Sequence, residues 1–242
     1  MLAAAVRAVL GLGRPYTASA NGVLYSAKQV FSEENMKMTT AKFASLKPIR
    51  MHARQPSKKA AVLIPLCEVD GKVALLYTLR TVHLKSHRGQ VSFPGGMQDT
   101  EDKSLEETAL RETHEELGIG ADRISIWGSG NMIITKTSTC VLPVIGRIKG
   151  DLKLDKLQVN RDEVEEVFAV PLDQLCRPDR LGYTQFRGSF SMPMFRGGKQ
   201  RIWGLTALMT YMLLSSLLPQ QAYSHKIKYL PPILNIKTRR AG

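Results

Sequence analysis

The 242-residue chain is poor in cysteine, poor in aromatic residues and, over residues 1–32, devoid of acidic side chains. Its three cysteines, Cys67, Cys140 and Cys176, are dispersed with no CxxC pair. That excludes a disulfide scaffold, a zinc ribbon and a thioredoxin-type site, and it fits buried thiols in a reducing compartment. Membrane-spanning runs are also missing. The stretch 202–218 carries no charge, but it sits at the lower length limit for crossing a bilayer and is interrupted by Gly204, Thr206, Thr210, Ser215 and Ser216. It reads as a buried helix that closes a core. The lack of acid in residues 1–32, where Arg7, Arg14 and Lys28 lie among Ala, Leu, Val and Ser, is the pattern of a mitochondrial transit peptide.

What is present is a globular composition: 43% hydrophobic and 23% charged residues exclude a disordered or collagenous chain. The length suits one domain with extensions. Net charge is +13, unevenly spread. Residues 1–59 hold 10 basic and 2 acidic side chains, 60–176 hold 13 and 18, and 177–242 hold 11 and 1. An acidic middle between basic flanks points to a polyanionic partner: nucleic acid, anionic lipid, an import receptor or a phosphate-rich small molecule. We expect a leader over 1–32, a linker over 33–59, a folded domain over 60–218 and a basic tail over 219–242 ending in Lys237, Arg239 and Arg240.

Two apolar runs, 60–65 and 73–80, flank the turn residues Asp70, Gly71 and Lys72 and predict a hairpin. A polar loop follows and ends in Phe93, Pro94, Gly95 and Gly96, where two glycines let the main chain approach a ligand closely. Ser104 with Glu107 forms a capping box for the next helix, and Gly118 stops it. At helical spacing Ala109, Leu110, Thr113 and Leu117 share the inward arc, while Glu112, Glu115 and Glu116 converge on the neighbouring ridge. Arg111 reaches Glu115 at i+4 and neutralises only part of that charge. The ridge is either a solvated helix face or a site for a hard divalent cation such as Mg²⁺, with a glycine-turn carbonyl beside it.

Gly95 and Gly96, followed by Arg111, Glu112, Thr113, His114, Glu115, Glu116, Leu117, Gly118 and Ile119, resemble the Nudix box, REUxEExGU after a distant glycine. Two features depart from it. The glutamate normally eight residues before the arginine is replaced by Lys103, after Asp102 and Glu101, and the interval from Gly96 to Arg111 is one residue longer. The segment 75–96, LLYTLRTVHLKSHRGQVSFPGG, is similar to the signature of the coenzyme A diphosphatase branch, with Tyr77 inserted, Thr81 in place of Ser or Ala, and Lys85 in place of an arginine.

The resemblance implies an α/β fold, a mixed β-sheet between helices in an α/β/α sandwich. It also implies metal-dependent hydrolysis of coenzyme A and acyl-CoA to (acyl-)4′-phosphopantetheine and adenosine 3′,5′-bisphosphate. In that reading Glu112 and Glu116 ligate Mg²⁺ or Mn²⁺, Glu115 ligates or braces, the Gly95 carbonyl is a further ligand, and Arg111 orients the carboxylates. The general base is Glu115 or Glu163. Arg80, Lys85 and Arg88 meet the substrate phosphates, and Arg187, Arg196, Lys199 and Arg201 are candidates for its 3′-phosphate. His83, His87 and His114 lack a metal-binding partner at fixed spacing, and Phe168 and Trp203 read as core. The expected partner is the small-molecule substrate, with no nucleic acid and no membrane span. The alternatives are another nucleoside diphosphate derivative such as ADP-ribose or NADH, or a non-catalytic nucleotide- or RNA-binding module.

Overall fold

In the computed structural model, residues 24–51, 56–83, 88–186, 190–196 and 198–227 are described. The scaffold starts from a long hairpin, β2 (Lys58–Val69) and β3 (Lys72–Arg80), after a short β1 (Ile49–Arg50). Val69 pairs with Lys72, so the turn is Asp70–Gly71 alone, with φ of 49° and 72°. Two positive φ values are what a tight hairpin turn needs to follow the strand twist, and Asp-Gly supplies them with little strain.

Four further pieces complete the sheet around this hairpin: β4 (Val91–Ser92), β5 (Gly95–Met97), β8 (Thr139–Asp151) and β9 (Val164–Pro171), with β6 (Ile124–Ser129) and β7 (Ile133–Ile134) at the far side. β2 runs parallel to β8 and antiparallel to β3 and β5, and β9 runs antiparallel to β3, so the sheet is mixed as expected. Ala61, Leu63, Cys67, Ala74 and Leu76 face one helix, α3 (Leu105–Leu117). Their neighbours Ile64, Leu66, Leu75 and Tyr77 face the other layer, which includes α5 (Gly204–Leu217). A sheet covered on both faces explains why these strands read as continuous apolar runs. The expected buried helix over 202–218 is α5, and no helix among the described residues is long and apolar enough to cross a membrane.

A second, three-stranded antiparallel sheet, not anticipated from sequence, joins β10 (Leu181–Phe186), β11 (Phe190–Arg196) and β12 (Arg201–Ile202). A short helix α4 (Leu172–Leu175) leads towards it. The three cysteines are buried free thiols, as expected.

The structure corrects both flanks. Residues 33–59, expected to be a linker, contain a thirteen-residue helix, α2 (Glu33–Ser45), capped by Ser32 and seated on the core through fully buried Phe43. Only Asn35, Thr39 and Phe43 are buried, one side chain every four residues and two of them polar, so the helical face leaves almost no hydrophobic period to read. The end of the expected leader also belongs to the fold. Val30, in the short α1 (Ala27–Val30), is 1% exposed, Phe31 meets Trp127 edge-on, and the Tyr25 hydroxyl donates to the Ala222 carbonyl at 2.8 Å. Ala222 and Tyr223 are buried, so the expected tail over 219–242 begins inside the core. Lys237, Arg239 and Arg240 lie outside the described residues.

Candidate active site

The site grows from the two ends of α3. At its start the Ser104 hydroxyl accepts from the Glu107 N–H at 3.1 Å, and the Glu107 carboxylate accepts from the Lys103 N–H at 2.8 Å. At its end Gly118, at φ 68°, donates to the His114 carbonyl at 2.8 Å. The glycine turn is pressed from both sides. A Cβ at Gly95 would strike the Ala61 carbonyl, and one at Gly96 would occupy the position of the Glu112 carboxylate. Any side chain at either position would displace the sheet edge or the helix ridge.

Arg111 ties the turn to the ridge. Its Nε and Nη2 donate to the two oxygens of Asp102 at 2.9 and 3.0 Å, and Nη2 also donates to the Met97 carbonyl at 3.0 Å. Nη1 meets Glu115 at 3.0 Å and Glu112 at 3.1 Å. Asp102 in turn accepts from the Asp99 N–H and the Thr108 hydroxyl, both at 2.9 Å. These bonds, chiefly those from Arg111, hold its carboxyl well below the usual carboxylate range. Lys103, at the place of the usual box glutamate, therefore leaves the loop intact. Counted forward from Gly96 the acid falls on Asp102, and the extra residue lies between Asp102 and Arg111.

Glu112 and Glu116 do not share the exposure expected of one ridge. Glu116 is buried, with its side chain 2% exposed; Arg80 reaches it at 3.5 Å, and the Gly95 main chain lies against it. Burial pushes its carboxyl up to about 8, Arg80 pulls it back, and the charges of Glu112 and Glu163 add to the rise. Burial likewise raises the Glu112 carboxyl, opposed by Arg111 and assisted by Glu115 and Glu163. Glu163 thus faces both carboxylates from across the site. It sits in the turn before β9. Its carbonyl accepts from the Thr81 N–H at 2.9 Å. Glu115 is the most exposed of the ridge carboxylates, with 52% of its side chain open to solvent.

The other expected residues divide. Arg80 joins the cluster, and the Arg80 backbone bonded to Gly89 and Gln90 closes the base of the loop on which exposed Arg88 stands. Lys85, His87 and Arg187 lie outside the described residues. His83 and His114 are exposed. Phe168 packs against Tyr77 with ring centroids 5.6 Å apart, as a core residue should. Trp203, also expected in the core, is 38% exposed. The sequence reading missed Asp102 as Arg111's anchor and Asn160, whose carbonyl and N–H tie the Glu163 turn to α3. The Asn160 N–H donates to the Glu116 carbonyl at 3.0 Å.

The donor set suits a hard divalent cation. Among the described residues no three His, Cys, Asp or Glu side chains enclose an ion by themselves, and Arg111 and Arg80 hold the carboxylates. The buried Oε2 of Glu116, however, has no hydrogen-bond partner, a costly state for a carboxylate oxygen. A cluster of carboxylate oxygens fits a hard divalent cation, which can keep waters in its remaining positions.

Comparison with known proteins bears on this geometry directly. The NUDIX domain profile matches residues 57–190. The chain belongs to the Nudix hydrolase family. Nudix hydrolases generally need divalent metal ions, in keeping with the oxygen cluster. The chain is 45% identical over 175 residues to the human mitochondrial coenzyme A diphosphatase NUDT8, covering 70% of this chain and 73% of that one. It is 43% identical over 165 residues to the mouse protein of the same name, covering 66% and 78%. Identity to Nudix hydrolase 3 of Caenorhabditis elegans is 36% over 214 residues, covering 81% and 88%.

Proposed function

We propose that this Nudix hydrolase splits the diphosphate of coenzyme A and acyl-CoA, releasing (acyl-)4′-phosphopantetheine and adenosine 3′,5′-bisphosphate, and that it works in mitochondria with Mg²⁺ or Mn²⁺. The observation that carries the reading is the meeting of two segments: the branch-like stretch 75–96 delivers Arg80 onto Glu116 of the box helix. The names of the human and mouse relatives support the substrate and the compartment.

Glu112 and Glu116 would hold the cation, with Glu115 at its exposed edge and the Gly95 main chain beside Glu116. What a divalent cation supplies when bound is neutralisation of charge on the bridging and leaving oxygens. Arg111 keeps the ridge and the glycine turn in register through Asp102 and the Met97 carbonyl. Arg80 and Arg88, with Lys85 of the same sequence segment, draw in the diphosphate. Glu163 takes the proton of the attacking water. It faces the cluster without an arginine partner among the described residues, whereas the Glu115 carboxylate is engaged by Arg111.

Turnover of coenzyme A, acetyl-CoA, ADP-ribose and NADH with Mg²⁺ and with Mn²⁺ tests the substrate. A preference for ADP-ribose or NADH would overturn it. Glu163→Gln should lower turnover of acetyl-CoA by about 10²-fold or more with Mn²⁺ affinity little changed, while Glu115→Gln should cost much less.

A further inference from the structure

Two residues hold both peptide groups that flank Glu163. On its N-terminal side the Asp162 carbonyl accepts from the Thr81 hydroxyl at 3.1 Å, and the Glu163 N–H donates to the Asn160 carbonyl at 3.2 Å. On its C-terminal side the Glu163 carbonyl accepts from the Thr81 N–H at 2.9 Å, and the Val164 N–H donates to the same Asn160 carbonyl at 2.9 Å. Fixing the two peptides that meet at a Cα fixes φ and ψ there, and with them the direction of the Cα–Cβ bond. The Glu163 side chain therefore leaves the main chain along a set line.

This clamp is anchored to Glu116 at both ends. The Asn160 N–H donates to the Glu116 carbonyl at 3.0 Å, and Arg80, the residue before Thr81, reaches the Glu116 carboxylate at 3.5 Å. Arg80 is also the partner of Val164 across β3 and β9. The contacts close a ring that runs from Glu116 through Asn160, Glu163, Thr81 and Arg80 and returns to Glu116. From its place in that ring Glu163 acts by its charge on both Glu112 and Glu116.

Three of the four bonds around Glu163 use main-chain groups of Thr81 and Asn160, which almost any residue would supply. The fourth depends on side-chain identity, because it comes from the Thr81 hydroxyl. Thr81 is 5% exposed, so little water can replace that donor, and its β-branch restricts χ1 and the direction in which the hydroxyl points. The Asn160 Oδ1 adds a bond from the Asp162 N–H at 3.1 Å on the exposed side of the turn.

We propose that Thr81 is a positioning residue for the general base: its buried hydroxyl locks the Asp162–Glu163 peptide and so aims the Glu163 carboxylate at the attacking water. The inference rests on the reading of Glu163 as the base, given above, and says what holds that base in place. Proton transfer demands close approach in one direction, so a small displacement of the carboxylate costs rate without changing how substrate binds.

Thr81→Val and Thr81→Ala both remove the hydroxyl, the first at nearly constant volume and the second with no added bulk, while Thr81→Ser keeps it. On whichever substrate of the panel above is hydrolysed, the two hydroxyl-free variants should lower kcat about 10-fold with KM within about 2-fold, and Thr81→Ser should stay within about 3-fold of the parent. Mn²⁺ affinity, titrated by electron paramagnetic resonance, should change less than about 2-fold, since the hydroxyl acts on the base and not on the ridge carboxylates. In a Glu163→Gln background, Thr81→Val should cost less than about 2-fold more. The assignment is overturned by an unchanged kcat in both hydroxyl-free variants, by an equal loss in Thr81→Ser, by the full loss persisting in the Glu163→Gln background, or by Mn²⁺ affinity falling in step with kcat. If Glu163→Gln loses turnover and removal of the hydroxyl does nothing, the base stands and Thr81 has no part in aiming it. If Glu163→Gln turns over like the parent, the base reading itself falls and takes the Thr81 role with it.

Discussion

Like charges are crowded together at two places in this protein, and they are handled differently. On α3 the carboxylates of Glu112, Glu115 and Glu116 meet arginines of the same chain: Arg111 serves the first two and Arg80 the third. On the β11–β12 hairpin, Arg196 and Arg201 face each other with no acidic partner. Both are places where something from outside can relieve the repulsion. The first suits a cation, because one oxygen of buried Glu116 is left without a partner. The second suits an anion, because its two arginines are exposed at paired positions of neighbouring strands.

The contrast breaks most severely at Glu116. Glu116→Gln should lower turnover of acetyl-CoA by about 10³-fold, read in steady-state assays with Mn²⁺. The same variant should melt at a higher temperature than the parent in metal-free buffer at pH 8, since it removes a buried charge. The sign follows from the raised carboxyl: at about 8 in the fold against about 4.3 in an unfolded chain, its contribution to stability is full below about pH 4 and is lost as pH rises through about 8. Thermal melts in EDTA between pH 5 and 8 should therefore fall more steeply for the parent than for Glu116→Gln.

Asp102 is the next test, because it decides whether the acidic ridge owes its order to Arg111. Asp102→Ala should cost about 10²-fold in kcat through loss of loop geometry, and about 1–3 kcal/mol of stability in urea unfolding. Since the Asp102 carboxyl is held below its ordinary value, the stability it lends is present above about pH 4 and disappears in acid.

Deleting residues 1–32 removes Tyr25, Val30 and Phe31 from their seats and should cost about 2–5 kcal/mol in urea unfolding. If a mitochondrial leader is removed from this chain, the cut that preserves the fold lies upstream of Leu24. The smallest effect sharpens the other half of the contrast. Arg201→Glu turns the like-charged pair into an ion pair and should raise stability by about 0.5 kcal/mol in urea unfolding.

Elements written in short-range code were legible in the chain. The Asp70–Gly71 turn, the Ser104 and Gly118 caps, the run of carboxylates on one helix and the apolar strands all depend on residues within about four positions of one another. The α2 helix was not legible, because its buried side carries Asn35 and Thr39 beside Phe43 and shows no apolar stripe. Asp102 was hidden by counting the box from its arginine, when the inserted residue lies after the acid. Trp203 looked like core because it sits between a buried strand residue and an uncharged, largely apolar helix, and strand alternation alone turns it outward.

The chain's local order therefore settled that a ridge of acid would follow a glycine turn, and that the family's chemistry would be written there. It could not settle which of those acids would be buried. Glu116 sinks under Arg80, and Glu163 arrives opposite it, because β3 pairs with β9 and a register shift between Leu79 and Arg80 brings residues 80 and 164 side by side. Side-chain spacing along one helix is an outcome of bond geometry, but desolvation and the pairing of charges far apart in sequence come from how the layers close around the sheet.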